Sequence, residues 1–393
     1  MGQEHERFAA LPSLEPKKPR LLALDVFRGL TLFGMVLVNT HGDSRFQYPP
    51  LRHVAWHGWS FADLIFPFFL FIVGVAIPYS IESQRARGAR SGQILRHVLR
   101  RAVVLFAIGV AMNWYHKFDF AQPALDLPHL RIFNVLQRIA LCSVVVTGMY
   151  LWCKPRTQAA IAAAILVLYF VLLTFVPVPG YGAGVLEKVG NWTQYIDAQV
   201  MGAHCGWVEK GQPWEGKGLL STLPAIVTVL MGLWTGRYLR SSAETMPKLV
   251  NLYFFGTAAM FLGAFWSNFF PINQCLWTSS LVLLMGGMAM VVLASCYYVA
   301  DVRKVTWWTP PFVVFGMNSL AVWVGSVTFK DTLDKIRLVG SAGEPVSLKT
   351  HLFQWLAQWL GLWNGSLAFA ILYLLFWLAI MSVLYRKKIF FKF

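Results

Sequence analysis

Three histidines, His41, His53 and His57, fall in one short stretch between two long apolar runs. Imidazole titrates near neutral pH, so histidines at the edge of apolar segments can serve as base, nucleophile or metal ligand. His53 follows Pro49 and Pro50, which stiffen the chain, and precedes Trp56. It is a candidate general base or nucleophile, with a structural or solvated loop histidine as the plainer alternative. Asp63 lies ten residues further on, inside the second apolar run. A carboxylate there needs a partner. A histidine would have its tautomer fixed and its basicity raised by that contact, while Arg138 is the rival partner. Asn39 closes the first apolar run. Its amide can cap a helix, bridge two helices or donate to a developing oxyanion.

A second set of polar residues lies inside apolar segments, where ionisable groups are costly and tend to mark a site or a pathway. Asp25 and Arg28 are three apart and share a helix face. They form either a local ion pair or a phosphate-receiving group, for which the planar guanidinium is suited. Asn134, Gln137 and Arg138 sit in LRIFNVLQRIA, Ser221, Thr222 and Pro224 in GKGLLSTLPAI, and Asn318 and Ser319 in GMNSLAVWVG. Together they could line a central cavity. His53 and His57 have the i,i+4 spacing of helical metal ligands, but Gly58 and the prolines disfavour a helix there and no Cys or Glu is near. No metal is assigned. Neither a glycine-rich phosphate loop nor a GxSxG elbow is present.

The elements that must position these groups are membrane helices. Hydrophobic residues make up 57% of the 393 and charged ones only 13%, about half the share in a soluble domain, which is roughly 25%. A bilayer core about 30 Å thick needs about 20 apolar residues per helix. That rule predicts ten spans, near 21–40, 60–81, 99–116, 132–153, 157–176, 219–239, 249–268, 276–299, 310–329 and 366–385. The fold class is therefore all-α, a polytopic helical bundle with both termini cytosolic. The net charge of +16 raises nucleic acid as a partner. The charges instead follow the positive-inside rule, with cytosolic segments outnumbering the opposite ones about two to one in Lys and Arg. The partners expected are membrane lipids and no nucleic acid. The cluster Arg85, Arg87, Arg90, Arg96, Arg100 and Arg101 fits either topology and lipid contact or attraction of a polyanion from the cytosol.

Residues 1–20 read as a disordered cytosolic tail with no signal peptide, and 21–393 as one domain. Two long non-cytosolic connections are expected at 177–218, a cap rich in Gly, Trp and Pro, and at 330–365. In the latter, His351 to Trp363 suits an interfacial or re-entrant helix. Cys205 falls in the first of these and Cys275 in the short non-cytosolic connection before residue 276, where a disulfide and two free thiols are both open.

At these residues the chain resembles a known family. LDVFRGLTLFGMVLVN, HVAWHGWSFADLIFPFFLFIVG, LRIFNVLQRIA, GLLSTLPAIVTVLMGLWTG, PINQCLWTSSLVLLMGG and GMNSLAVWVG are similar to stretches of the heparan-alpha-glucosaminide N-acetyltransferase family, especially its bacterial members. The family belongs to a wider group of transmembrane acyltransferases. The resemblance implies transfer of acetyl from cytosolic acetyl-CoA to the amino group of a glucosamine-type sugar across the membrane. It carries the family's active histidine onto His53, its first-span Asn onto Asn39 and its second-span Asp onto Asp63. On that reading Arg28, Arg138, Asn134 and Asn318 are candidates for holding acetyl-CoA, and Trp56, His57 and Asp25 for holding the acceptor. It further implies a bacterial inner-membrane location and, from the lysosomal members, a homodimer. Two departures bear on the acceptor: this chain begins directly with the Asp-x-Phe-Arg-Gly helix, without the extra domain and span of the lysosomal members, and its loop from Asn39 to His53 is longer. The competing expectation is an amino-sugar permease, which would also use polar residues around a cavity.

Overall fold

The computed structural model describes residues 21–119, 126–339 and 344–391, and the tail expected over 1–20 lies outside the described residues. The chain forms an all-α polytopic bundle. Its first part comprises α1 (Leu22–Asn39), α2 (Phe61–Arg85), α3 (Ser91–Lys117), α4 (Val135–Trp152) and α5 (Pro155–Phe175). The short helix α6 (Trp192–Met201) and a hairpin of β1 (Trp207–Glu209) and β2 (Gln212–Trp214) fill the next connection. Then come α7 (Thr222–Arg240), α8 (Thr245–Trp266), α9 (Ser279–Cys296), α10 (Pro310–Met317) and α11 (Ser319–Lys335). A second hairpin, β3 (Arg337–Val339) with β4 (Pro345–Ser347), leads into α12 (Leu348–Arg386).

Each expected span falls on a helix. Seven described helices are long and apolar enough by themselves to cross a membrane, and eight if α10 and α11 count as one bent span. The helices α3 and α7 fall short of that standard through charge or lower apolar content. The expected ninth span, 310–329, is not one rod: α10 and α11 meet at 84° around Asn318. Asparagine is a weak helix former because its short amide competes for backbone groups. Here Asn318 Nδ2 donates to the Ile389 carbonyl at 3.0 Å, and its Oδ1 accepts from the Phe391 N–H at 3.1 Å. The segment His351 to Trp363 falls in the first part of α12, which is two helices joined at a break at Gly361, whose φ of 76° a side chain would strain.

Lipid offers little hydrophobic drive between helices, so close backbone approach through small residues matters. A Cβ on Gly29 would lie 1.8 Å from the Phe312 carbonyl oxygen, and one on Gly316 would lie 2.3 Å from that of Asp25. Backbones of α1 and α10 therefore touch. Gly74 and Gly232 bring α2 and α7 together in the same way. The buried core between these helices joins Phe27, Phe71, Leu230, Trp277 and Met285. Phe254, Phe255 and Phe261 of α8 point outward, as a lipid-facing surface requires. Asp301 fixes the start of α1 by accepting the Leu22 and Ala23 N–H groups at 3.1 and 2.7 Å.

Candidate active site

The turn into α2 builds the centre of the site. Ser60 caps the helix, and Asp63 at its third position accepts the Ser60 N–H at 3.0 Å, the reciprocal arrangement of a capping box. The same Oδ2 accepts the Val54 N–H at 3.3 Å and has Ser60 Oγ at 3.0 Å. Its other oxygen, Oδ1, lies 2.6 Å from His53 Nδ1. The carboxylate is 2% exposed while the imidazole is 49% exposed. Nδ1 donates to the carboxylate, and Nε2 is left as the basic nitrogen. The expected alternative, an Asp63–Arg138 pair, does not form.

The histidine loop is held from outside its own sequence. Trp56 Nε1 donates to the Leu186 carbonyl at 2.7 Å, Asn273 Nδ2 to the Trp56 carbonyl at 3.0 Å, and Gly58 N–H to the Ile272 carbonyl at 2.8 Å. Gln274 Nε2 donates to the Asp63 carbonyl at 3.1 Å. Asn273 and Gln274 thus position His53, a role that the sequence reading missed although it singled out PINQCLWTSS. The S-x-x-D capping pattern at Ser60–Asp63 was the local signal for the turn.

His53 opens onto a cavity of about 1010 Å3 that runs the length of the bundle. Along α2 it extends from Asp63 to Ile81, about 27 Å at 1.5 Å per residue. Arg28, Thr31, Met35, Val38 and Asn39 line it along one face of α1. One end holds His53, Asn39, Asp63, Trp56 and Asn134; the other holds Arg28, Arg101 and Phe391. Asn134 Nδ2 donates to Asn113 Oδ1 at 2.8 Å.

Four expected site residues do not line this cavity. Asp25 is buried near the start of α1, 3.6 Å from Arg28. It lies at the opposite end of the helix from Asn39, so it does not join His53. His57 is exposed, with its Nδ1 3.4 Å from Asn273 Nδ2. Asn318 spends its amide on the chain near 389–391. Arg138 is fully buried, lies over the Trp277 and Phe66 rings at 5.1 and 5.9 Å, and donates to Ser221 Oγ and the Gly218 carbonyl. The ring quadrupoles favour its charge. Ser221 receives this guanidinium, Thr222 Oγ1 donates to the Gly218 carbonyl at 2.7 Å, and neither lines the cavity.

The connection between α5 and α7 covers the His53 end. Lys210 and Gly211 both have positive φ at the tip of the β1–β2 hairpin, as a two-residue turn of matching twist requires. Trp207 and Trp214 stack across it with centroids 4.9 Å apart. Arg131 makes a bidentate pair with buried Glu215 at 2.8 and 2.5 Å and lies 4.2 Å from the Trp207 ring centre. Lys217, Cys275, Trp207 and Trp214 reach the cavity wall. Burial, followed by the Arg131 charge, pulls the Lys217 amine below its usual range. Burial pushes the Cys275 thiol up. Burial also pushes Asp197 up to about 7; its Oδ1 accepts the Leu219 N–H at 2.8 Å. Cys205 and Cys275 are both free thiols, and the disulfide alternative is not realised.

A helical membrane bundle whose through-running cavity carries a buried Asp–His pair at one end and arginines at the other defines the class. Residues 20–265 match the model of the heparan-alpha-glucosaminide N-acetyltransferase catalytic family, and the chain belongs to that family. It is 28% identical over 436 aligned positions to the Homo sapiens protein named heparan-alpha-glucosaminide N-acetyltransferase, covering 98% of this chain and 61% of the human protein. The Mus musculus protein of the same name is 27% identical over 422 positions, covering 95% of this chain and 60% of its own length. The chain thus spans about three fifths of the length of these relatives.

Proposed function

We propose that this protein is a transmembrane N-acetyltransferase that moves acetyl from cytosolic acetyl-CoA to the amino group of a glucosamine-type sugar on the other side of a bacterial inner membrane. The observation that carries this reading is the cavity joining Arg28 and Arg101 to the His53–Asp63 pair across the bundle. The residues fit acetyl-CoA. Its polyanionic nucleotide cannot enter lipid and meets guanidinium groups at one mouth. The cavity, at the upper end of the range of about 300–1,000 Å3 for small-molecule sites, has room for the extended pantetheine arm. The expected ten-span topology, with both termini in the cytosol, supports a cytosolic arginine end.

His53 acts as general base through Nε2, with Nδ1 held by Asp63. It takes a proton from the attacking amine and passes it to the departing CoA thiolate. Asn39, on the wall at the same end, donates to the oxyanion that forms at the acetyl carbonyl. A family named for acetyl transfer favours this reading over a permease. The test is acetyl transfer from labelled acetyl-CoA to glucosamine by the purified protein in detergent. Transfer by the wild type that is lost in His53→Ala, with acetyl-CoA binding intact, is expected. No transfer to any amino sugar overturns the proposal.

A further inference from the structure

We infer that Asp331 and His116 form the subsite that receives the acceptor's ammonium group. This deepens the acetyltransferase reading and rests on it. Among the described residues, two carboxylates line the cavity, Asp63 and Asp331. Asp63 is sealed behind His53 and the Ser60 turn. Asp331 has His116 Nδ1 at 3.0 Å from Oδ2, while its Oδ1 has Lys330 Nζ at 3.9 Å, outside hydrogen-bond length. Oδ1 of Asp331 therefore makes no hydrogen bond among the described residues and, on a carboxylate 6% exposed at the cavity wall, is the oxygen a new donor would reach.

The surroundings make that oxygen matter. Lys117 and Lys330, the chain neighbours of His116 and Asp331, also line the cavity. An amino sugar enters as a cation and is repelled by these charges unless a carboxylate receives it. The pair is held firmly where α3 meets α11: Tyr115 Oη and Thr332 Oγ1 are 2.7 Å apart, and Lys335 Nζ donates to the Tyr115 carbonyl. His116 is 70% exposed and orients Asp331 from the open side. The ammonium held here loses one proton to water, and the neutral amine forms the C–N bond as the C–S bond breaks. Its second proton passes through His53 to the thiolate.

The experiment compares binding of glucosamine and of glucose to the wild-type protein with CoA bound, then steady-state kinetics of Asp331→Asn and His116→Ala. Wild type should bind glucosamine more tightly than glucose. Asp331→Asn should abolish that preference and raise KM for glucosamine about tenfold or more, the worth of a charge-assisted hydrogen bond, leaving KM for acetyl-CoA unchanged. His116→Ala should raise the acceptor KM by a smaller factor. Equal binding of the two sugars by wild type overturns the inference, as does an unchanged glucosamine KM in an Asp331→Asn protein that still binds acetyl-CoA. Should Asp331→Asn not fold, the wild-type comparison and His116→Ala decide. A wild type that prefers glucosamine but transfers no acetyl would sink the acetyltransferase reading and leave the subsite standing.

Discussion

His53 Nδ1 and Asp63 Oδ1 lie 2.6 Å apart, and the carboxylate that holds the imidazole also caps the helix it belongs to. Orientation of His53 and helix initiation therefore share one side chain. Asp63→Asn keeps an oxygen for the Ser60 and Val54 N–H groups but turns an N–H₂ towards His53. The imidazole must then accept at Nδ1 and carry its proton on Nε2, where it is no longer a base. We expect kcat to fall about 10²–10⁴-fold with little change in melting temperature or acetyl-CoA binding. An active Asp63→Asn enzyme would refute the general-base assignment.

His53 as base, and not acetyl carrier, predicts no labelled protein when acetyl-CoA is mixed with enzyme alone and chemically quenched. Label that appears on wild type and is missing from His53→Ala would shift the mechanism to a covalent one.

Arg101 is the arginine of the 85–101 cluster that reaches the cavity wall. Arg101→Gln should raise KM for acetyl-CoA about tenfold and leave KM for the acceptor alone. The variant should also lose part of the salt dependence of acetyl-CoA binding. Equal effects on both substrates would count against a cofactor mouth at this end.

Asp197 gives a pH dependence to stability. The folded protein keeps its proton up to about 7, whereas an unfolded chain releases it near 3.9. The native state therefore binds more protons in between. This group's contribution is fully present below about 4 and is lost as pH rises through about 7. Asp197→Asn should flatten that slope and stabilise the protein above pH 7 by roughly 1–4 kcal/mol. Thermal denaturation across pH checks it, and a variant that is less stable than wild type at pH 8 would contradict it.

Gly29→Ala should cost about 3 kcal/mol or more, since its Cβ would meet the Phe312 carbonyl at 1.8 Å. Gly92→Ala, with nothing within 4 Å of its Cβ, is the matched control and should be neutral or slightly stabilising. Similar melting temperatures for the two variants would mean that α1 and α10 do not touch.

Much of this was readable in one dimension. Long apolar runs locate helices because a bilayer core demands a fixed length of satisfied backbone. The polar residues at their ends singled out His53, Asp63 and Asn39. Asp25 and Arg138 misled because the same cost that marks a functional charge also marks a packed one: Arg138 meets that cost with two aromatic rings, and Asp25 lies beside Arg28. His57 misled because nearness in the chain does not say which way a loop side chain faces.

The sequence alone determined the class and the helix positions and singled out the histidine, since these follow from local apolar length and from residue type. Tertiary structure alone decided the rest. It chose His53 over Arg138 as the partner of Asp63, bent the ninth span at Asn318 to receive the backbone near 389–391, and brought His116 of α3 against Asp331 of α11. Each of those outcomes depends on groups far apart in the chain, and no local pattern specifies which of them will meet when the helices pack.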